Sequence, residues 1–227
     1  MPAPDSGSSL EQRLGMVEER IAKATARSGR KRADVTLIAV TKVFPASCIR
    51  DAYALGLRDF GENYVQEFEG KFPDVADLAG ARFHLIGHLQ SNKARKATEL
   101  FQTIQTVDSS KLAHRLDEAG KRLEIMLEVK LSAEAAKTGA SPEELAPVIE
   151  SVRSSANLKL TGLMTMPPWS EDPEVSRPYF RKLRELAEQF GLTDLSMGMS
   201  HDLEAAIEEG ATHVRVGTAL FGKRKKA

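Results

Sequence analysis

Short apolar runs alternate with amphipathic segments along nearly the whole chain. Leu10, Leu14, Val17, Ile21 and Ala24 recur three or four residues apart among charges, which predicts an amphipathic helix that Gly29 and the basic run 30–32 end. The next segment, 35-VTLIAVT-41, is short, unbroken and rich in β-branched residues, the pattern of a strand buried on both faces. Further strand-like runs lie near Leu57 to Phe60, Arg82 to Ile86, Thr103 to Val107, Glu124 to Leu131, Leu158 to Thr165, Leu195 to Met197 and His213 to Val216, eight in all. Helix-like segments lie between them, near Ala46 to Leu55, Asn63 to Lys71, Lys93 to Phe101, Ser110 to Ala119, Pro142 to Arg153, Pro173 to Phe190 and Asp202 to Glu208. Ser141, Pro142 and Glu144 form a capping-box start, and Gly191 and Gly210 stand where helices should stop.

Strictly alternating βα units imply a parallel sheet, and eight right-handed crossovers close into a (β/α)8 TIM barrel with an extra N-terminal helix; an open doubly wound sheet is the alternative. The expected organisation is a disordered N-terminus at 1–9, one barrel domain at 10–222 and a basic tail at 223–227. A length of 227 residues suits such a barrel. Thirty-two basic residues balance 32 acidic ones, so the chain lacks the cationic excess of non-specific nucleic-acid binders. Its apolar runs are too short to span a bilayer, and MPAPDSGSS has no signal-peptide pattern. The single Cys48 makes no internal disulfide. A cytoplasmic monomer is the expectation.

In such barrels functional side chains stand at the C-terminal ends of strands. Lys42 ends the first strand after a run of apolar and β-branched residues; partial desolvation there would favour the neutral amine that attacks an aldehyde, although a lysine at a strand end is ordinarily just exposed. In 196-SMGMSHD-202, Ser200 precedes a helix start, as a plain N-cap or as part of a phosphate site. Gly217 and Thr218, after the last strand, would offer an N–H and a hydroxyl to the same phosphate, since strands seven and eight often carry one. Arg215 shares a strand face with Gly217 and needs an acceptor: a ring nitrogen of a heterocyclic ligand, or a carboxylate such as Glu62. Asn63 is either a helix N-cap or a ligand contact. His84 and His88 are spaced by four but not on one helix, so they do not read as a zinc pair, and Cys48 reads as packing.

With Lys42 on the first strand and a phosphate-type site on the last two, the sequence resembles the pyridoxal phosphate homeostasis protein family. The resemblance is carried by 38-IAVTK-42, 60-FGENYVQE-67, 83-FHLIGHLQSNK-93, 107-VDS-109, 136-AKTG-139, 162-GLMTM-166, 197-MGMSHDLEAAIEEG-210 and 214-VRVGTALFG-222. It implies a single-domain barrel related to the N-terminal domain of alanine racemase. Lys42 would hold pyridoxal 5′-phosphate as an internal aldimine, Ser200, Gly217 and Thr218 would take the phosphate, Arg215 the pyridine nitrogen, and Asn63 would lie near the cofactor. His84 also matches the family pattern, with no role evident from its chemistry. Lys130, His88 and the basic tail depart from that pattern.

An arginine donating to the pyridine nitrogen leaves the ring a weak electron sink, and a racemase needs a second acid–base group, for which only Tyr53, Tyr64 and Tyr179 are candidates. The expectation is therefore a reversible cofactor binder that buffers or delivers pyridoxal 5′-phosphate without turnover, with transient contact to PLP-dependent apo-enzymes as a partner expectation. The alternatives are an amino-acid racemase or decarboxylase of the same barrel type, a Schiff-base aldolase, or an interaction module.

Overall fold

The computed structural model describes residues 8–132 and 138–222. Residues 1–7 of the N-terminal segment expected at 1–9, the tail at 223–227, and Ala136 and Lys137 of the AKTG motif lie outside the described residues.

The first helix, α1 (Leu10–Arg27), begins at Ser9, whose hydroxyl accepts from the Gln12 N–H while the Gln12 side chain accepts from the Ser9 N–H. The chain then alternates: β1 (Thr36–Val40), α2 (Ala46–Ala54), β2 (Asp59–Glu62), α3 (Val65–Lys71), β3 (Arg82–Leu85), α4 (Ala94–Leu100), β4 (Thr103–Val107) and α5 (Ser110–Asp117). It continues with β5 (Leu123–Glu128), α6 (Leu145–Arg153), β6 (Leu158–Met164), α7 (Arg177–Phe190), β7 (Asp194–Met199), α8 (Leu203–Glu208), β8 (His213–Val216) and the short α9 (Thr218–Phe221). Every neighbouring strand pair is parallel, and β1 pairs with both β2 and β8, so the sheet closes into an eight-stranded barrel.

Differences from the sequence reading are local. The fifth strand stops at Glu128, and Val129 beyond it forms an isolated bridge with Ala140. The helix after Ser141 begins with a tight turn at Pro142–Glu144 before α6. The four-residue α9 is too short to show any periodicity and is absent from the sequence reading. Gly191 ends α7 in the left-handed conformation, φ 65°.

Apolar residues divide between two places. Leu37, Phe60, Leu85, Ile104, Leu127 and Leu163 belong to one continuous cluster that extends into the helices through Ile21, Ile49, Phe68, Leu116 and Phe180. Within it the Phe68 ring packs 4.7 Å from Phe83 and 5.0 Å from Phe101. Ile38, Ile86, Met126 and Met164 are equally buried but stand outside that cluster. They alternate with its members along β1, β5 and β6 and so point into the barrel. They share the interior with buried His84, Gln105, Glu128, Ser196 and Arg215.

Candidate functional site

The sheet order β7-β8-β1-β2 gathers the candidate residues on one arc of the C-terminal rim. Lys42 lies two residues beyond β1 and is half-buried; Asn63 follows β2, Ser200 follows β7, and Gly217 follows β8. A Cβ on Gly217 would meet the Cβ of Val40 at 3.4 Å, so the loop after β8 lies against the end of β1.

The backbone on either side of Lys42 is clamped. The Thr41 hydroxyl donates to Glu62 Oε1 at 2.7 Å, and Lys71 Nζ donates to the Thr41 carbonyl at 2.9 Å and to Glu62 at 2.9 Å. Lys71 also pairs with Glu67 at 2.6 Å, and Glu67 accepts from the Val43 N–H. Val43 sits at φ 60°, a strained conformation for a β-branched residue, which surrounding contacts must hold. Burial pushes the Glu62 carboxyl up, and the Lys71 ammonium opposes that shift.

Neither Ser200 nor Asn63 is a helix cap. Asp202 is the N-cap of α8 and accepts from the Met199 N–H at 2.7 Å, and Tyr64 precedes α3. Ser200 Oγ instead accepts from the Ala219 N–H at 3.3 Å, which ties the loop after β7 to the first turn of α9. The Ser200 carbonyl accepts from Arg20 of α1 at 2.9 Å, and Arg20 holds both oxygens of Glu204 in α8 at 2.6 and 2.7 Å. The added N-terminal helix thus braces this turn, beside a cavity of about 450 Å³ that Arg13, Arg20, His201 and Thr218 help to line.

Arg215 lies beneath the rim, 3% exposed. It does not reach Glu62, which Lys71 and Thr41 occupy; it donates to Ser196 Oγ at 2.6 Å and to the Thr165 carbonyl at 2.9 Å. Burial pulls its guanidinium down to about 10, with Asp202 and Glu128 opposing, so it remains a cation at neutral pH. Of the two acceptors the sequence offered for Arg215, the Glu62 carboxylate is not used: a hydroxyl and a backbone carbonyl take the guanidinium instead.

Two further atoms bear on what the site can hold. Asn63 Oδ1 and His201 Nε2 are buried with no hydrogen-bond partner among the described residues, unusual for polar atoms and suited to a ligand. A primary amine, an orphaned amide oxygen, a serine and a glycine–threonine turn, and a buried cation together fit a phosphorylated heteroaromatic aldehyde. The remaining candidates fall elsewhere. His84 is inside the barrel against Asp59 at 2.9 Å, whereas His88 is half-exposed on the rim. Tyr53 turns its hydroxyl to the Ala79 carbonyl at 2.8 Å. Cys48 is half-buried in α2, and burial pushes its thiol up. Among the described residues no three His, Cys, Asp or Glu side chains are grouped to hold a metal ion, and no helix is long and apolar enough to cross a membrane.

Sequence reasoning missed Lys71, Glu67, Arg20, Ser196 and Thr165. The Glu67–Lys71 spacing of four was visible as a helical ion pair, but not its attachment to the backbone beside Lys42.

Comparison with known proteins accords with this geometry. The family model described as "Alanine racemase, N-terminal domain" matches residues 13–225. The chain is 48% identical over 223 residues to the pyridoxal phosphate homeostasis protein of Pseudomonas aeruginosa, covering 96% of each chain. It is 44% identical over 227 residues to that of Aquifex aeolicus, covering 94% of this chain and 98% of the other. PipY of Synechococcus elongatus, solved with PLP bound, superposes with a TM-score of 0.82 at 39% identity, over 94% of this chain and all 100% of PipY. Alanine racemase of Clostridium difficile shares the fold, with a TM-score of 0.69 at 13% identity, over 95% of this chain but 58% of the racemase. The chain therefore belongs to the alanine racemase N-terminal domain family and, within it, to the pyridoxal phosphate homeostasis proteins.

Proposed function

We propose that this protein binds pyridoxal 5′-phosphate reversibly through Lys42 and serves the homeostasis of that cofactor, buffering it or releasing it to apo-enzymes, without turning over amino acids. The observation that carries this reading is the convergence of Lys42, Asn63, Ser200 and the Gly217–Thr218 turn on one arc of the rim, with Arg215 buried below them. When bound, the cofactor supplies an aldehyde that condenses reversibly with a primary amine.

The chain's own residues divide the work. Lys42 supplies the amine, and the Thr41, Glu62, Lys71 and Glu67 network fixes the backbone from which it projects. Ser200 and Thr218 would supply hydroxyls and Gly217 a backbone N–H for the phosphate, and Arg20 from α1 holds the Ser200 carbonyl. Asn63 presents its unpartnered oxygen. Arg215 would donate to the cofactor's pyridine nitrogen and so keep it unprotonated, which disfavours carbanion chemistry. Of the tyrosines that could act as a second base, Tyr53 lies within α2 with its hydroxyl on the Ala79 carbonyl, which favours a carrier over a racemase.

Adding pyridoxal 5′-phosphate to the purified protein should produce a visible absorbance band that Lys42→Ala lacks. A band that persists in the variant, or steady conversion of an L-amino acid to its D form, contradicts this reading.

A further inference from the structure

The interior of a (β/α)8 barrel is ordinarily packed with layers of branched apolar side chains. Here a hydrogen-bonded column crosses it. Arg215 on β8 donates to Ser196 Oγ on β7 at 2.6 Å, and Ser196 donates to Gln105 Oε1 on β4 at 2.6 Å. Gln105 Nε2 meets His84 Nδ1 on β3 at 3.3 Å, and His84 Nε2 meets Asp59 Oδ1 on β2 at 2.9 Å. Asp59 ends the column at the first residue of its strand, where Arg82 Nε reaches it at 2.8 Å.

The links run in one direction. Arg215 has only donors, so Ser196 accepts from it, and the Ser196 hydroxyl donates to the Gln105 Oε1 that faces it. The Gln105 amide nitrogen then faces His84 Nδ1, and with Nδ1 as acceptor His84 carries its hydrogen on Nε2 and donates to the Asp59 carboxylate. The groups that face its ring are Asp59, Gln105, Arg82 through Asp59, and His213, whose ring centroid is 6.4 Å away. Burial opposes ionisation of Asp59, but hydrogen bonds from His84 and Arg82 prevail and hold its carboxyl low.

Such a column adds little to stability, since a satisfied buried polar network is roughly equivalent to apolar packing of the same shape. What it can supply is orientation. We propose that Ser196, Gln105, His84 and Asp59 are positioning residues for Arg215: together with the Thr165 carbonyl, they fix the plane of its guanidinium so that its remaining N–H groups meet a ligand's ring nitrogen. The ligand half of this proposal rests on the reading of the site as a pyridoxal 5′-phosphate site; the column itself does not.

Two measurements test it. In the unliganded protein, ¹⁵N NMR of the histidine rings should show His84 as the Nε2–H tautomer, and Gln105→Glu, which replaces the amide donor by an acceptor, should put a proton on Nδ1. An Nδ1–H tautomer in the wild type overturns the column. Titration with pyridoxal 5′-phosphate should then give a dissociation constant roughly tenfold weaker for Ser196→Ala and Gln105→Glu, with a displaced visible maximum, and recovery in Ser196→Thr, which keeps the hydroxyl. Wild-type affinity and an unmoved band in both variants, whatever their melting temperatures, overturn the positioning role. Absence of any band in the wild type sinks the cofactor reading and with it the ligand half, while the His84 tautomer still decides the column.

Discussion

Facing outward from the barrel, Leu85, Ile104, Leu127, Leu195 and Val214 meet helix residues in one apolar cluster. Their immediate neighbours in sequence, His84, Gln105, Glu128, Ser196 and Arg215, face inward and meet one another or the rim through polar contacts. The same strands thus serve two environments with opposite chemistry. The outer layer gains stability in proportion to the apolar area it removes from water, and shape is its main constraint. The inner layer gains little net stability from its hydrogen bonds but loses heavily if one is broken, so geometry is its main constraint. Ligand binding should therefore respond to inner substitutions and not to outer ones, whereas stability responds to both.

The sharpest separation is expected at Phe68, fully buried outside the barrel among three other phenylalanines. Phe68→Ala should cost about 3–5 kcal/mol in chemical denaturation while leaving the affinity for pyridoxal 5′-phosphate near wild type. A loss of affinity equal to that of Ser196→Ala would erase the distinction.

Lys71 lies on the boundary, because it emerges from α3 to neutralise buried Glu62. Lys71→Met leaves that carboxylate without its cation and should cost roughly 3 kcal/mol at neutral pH. Urea midpoints should recover part of this in the double variant with Glu62→Gln, and a double variant no better than the single one would contradict the assignment.

A smaller, pH-dependent effect belongs to His213 at the start of β8. Burial first, then the charges of Arg82 and Arg215, lowers it to about 4, against the opposing pull of Asp59. The folded protein keeps this ring neutral, whereas the unfolded chain protonates it below its ordinary value near 6.5. Between about 6.5 and 4 the unfolded state binds the extra proton, so stability present at neutral pH is lost on acidification, by a few kcal/mol at most. His213→Gln should flatten that part of the stability-against-pH curve; an unchanged slope would contradict it.

The smallest effect is expected at the edge of the outer layer. Ser9→Ala removes the α1 cap and should cost about 1 kcal/mol without altering ligand affinity.

The outer layer was largely legible in the sequence, and the inner one was not. Runs such as 103-TIQTV-107 announce a strand whatever their inward residues do, because β-branched residues and length suffice, and the observed β4 has those bounds. Lys42, Ser200 and Gly217 were legible as site candidates because strand ends are where barrels place their chemistry. What Ser200 does was not: its hydroxyl serves Ala219, nineteen residues on, while Asp202 takes the cap. Likewise Glu62 was offered to Arg215 from its charge alone, whereas Lys71, one helix away, claims it. His84 matched a motif with no role evident because its partners, Asp59 and Gln105, come from two other strands and become its neighbours only in the folded sheet. Local pattern specifies elements; pairings across a closed sheet require the sheet.

The central claim, that Lys42 is the covalent attachment point at the polar mouth of an otherwise apolar shell, is tested most directly by borohydride reduction of the protein mixed with pyridoxal 5′-phosphate, followed by peptide mass spectrometry. The account predicts one stoichiometric pyridoxyl label, on Lys42. A label on another lysine, or none, would contradict it.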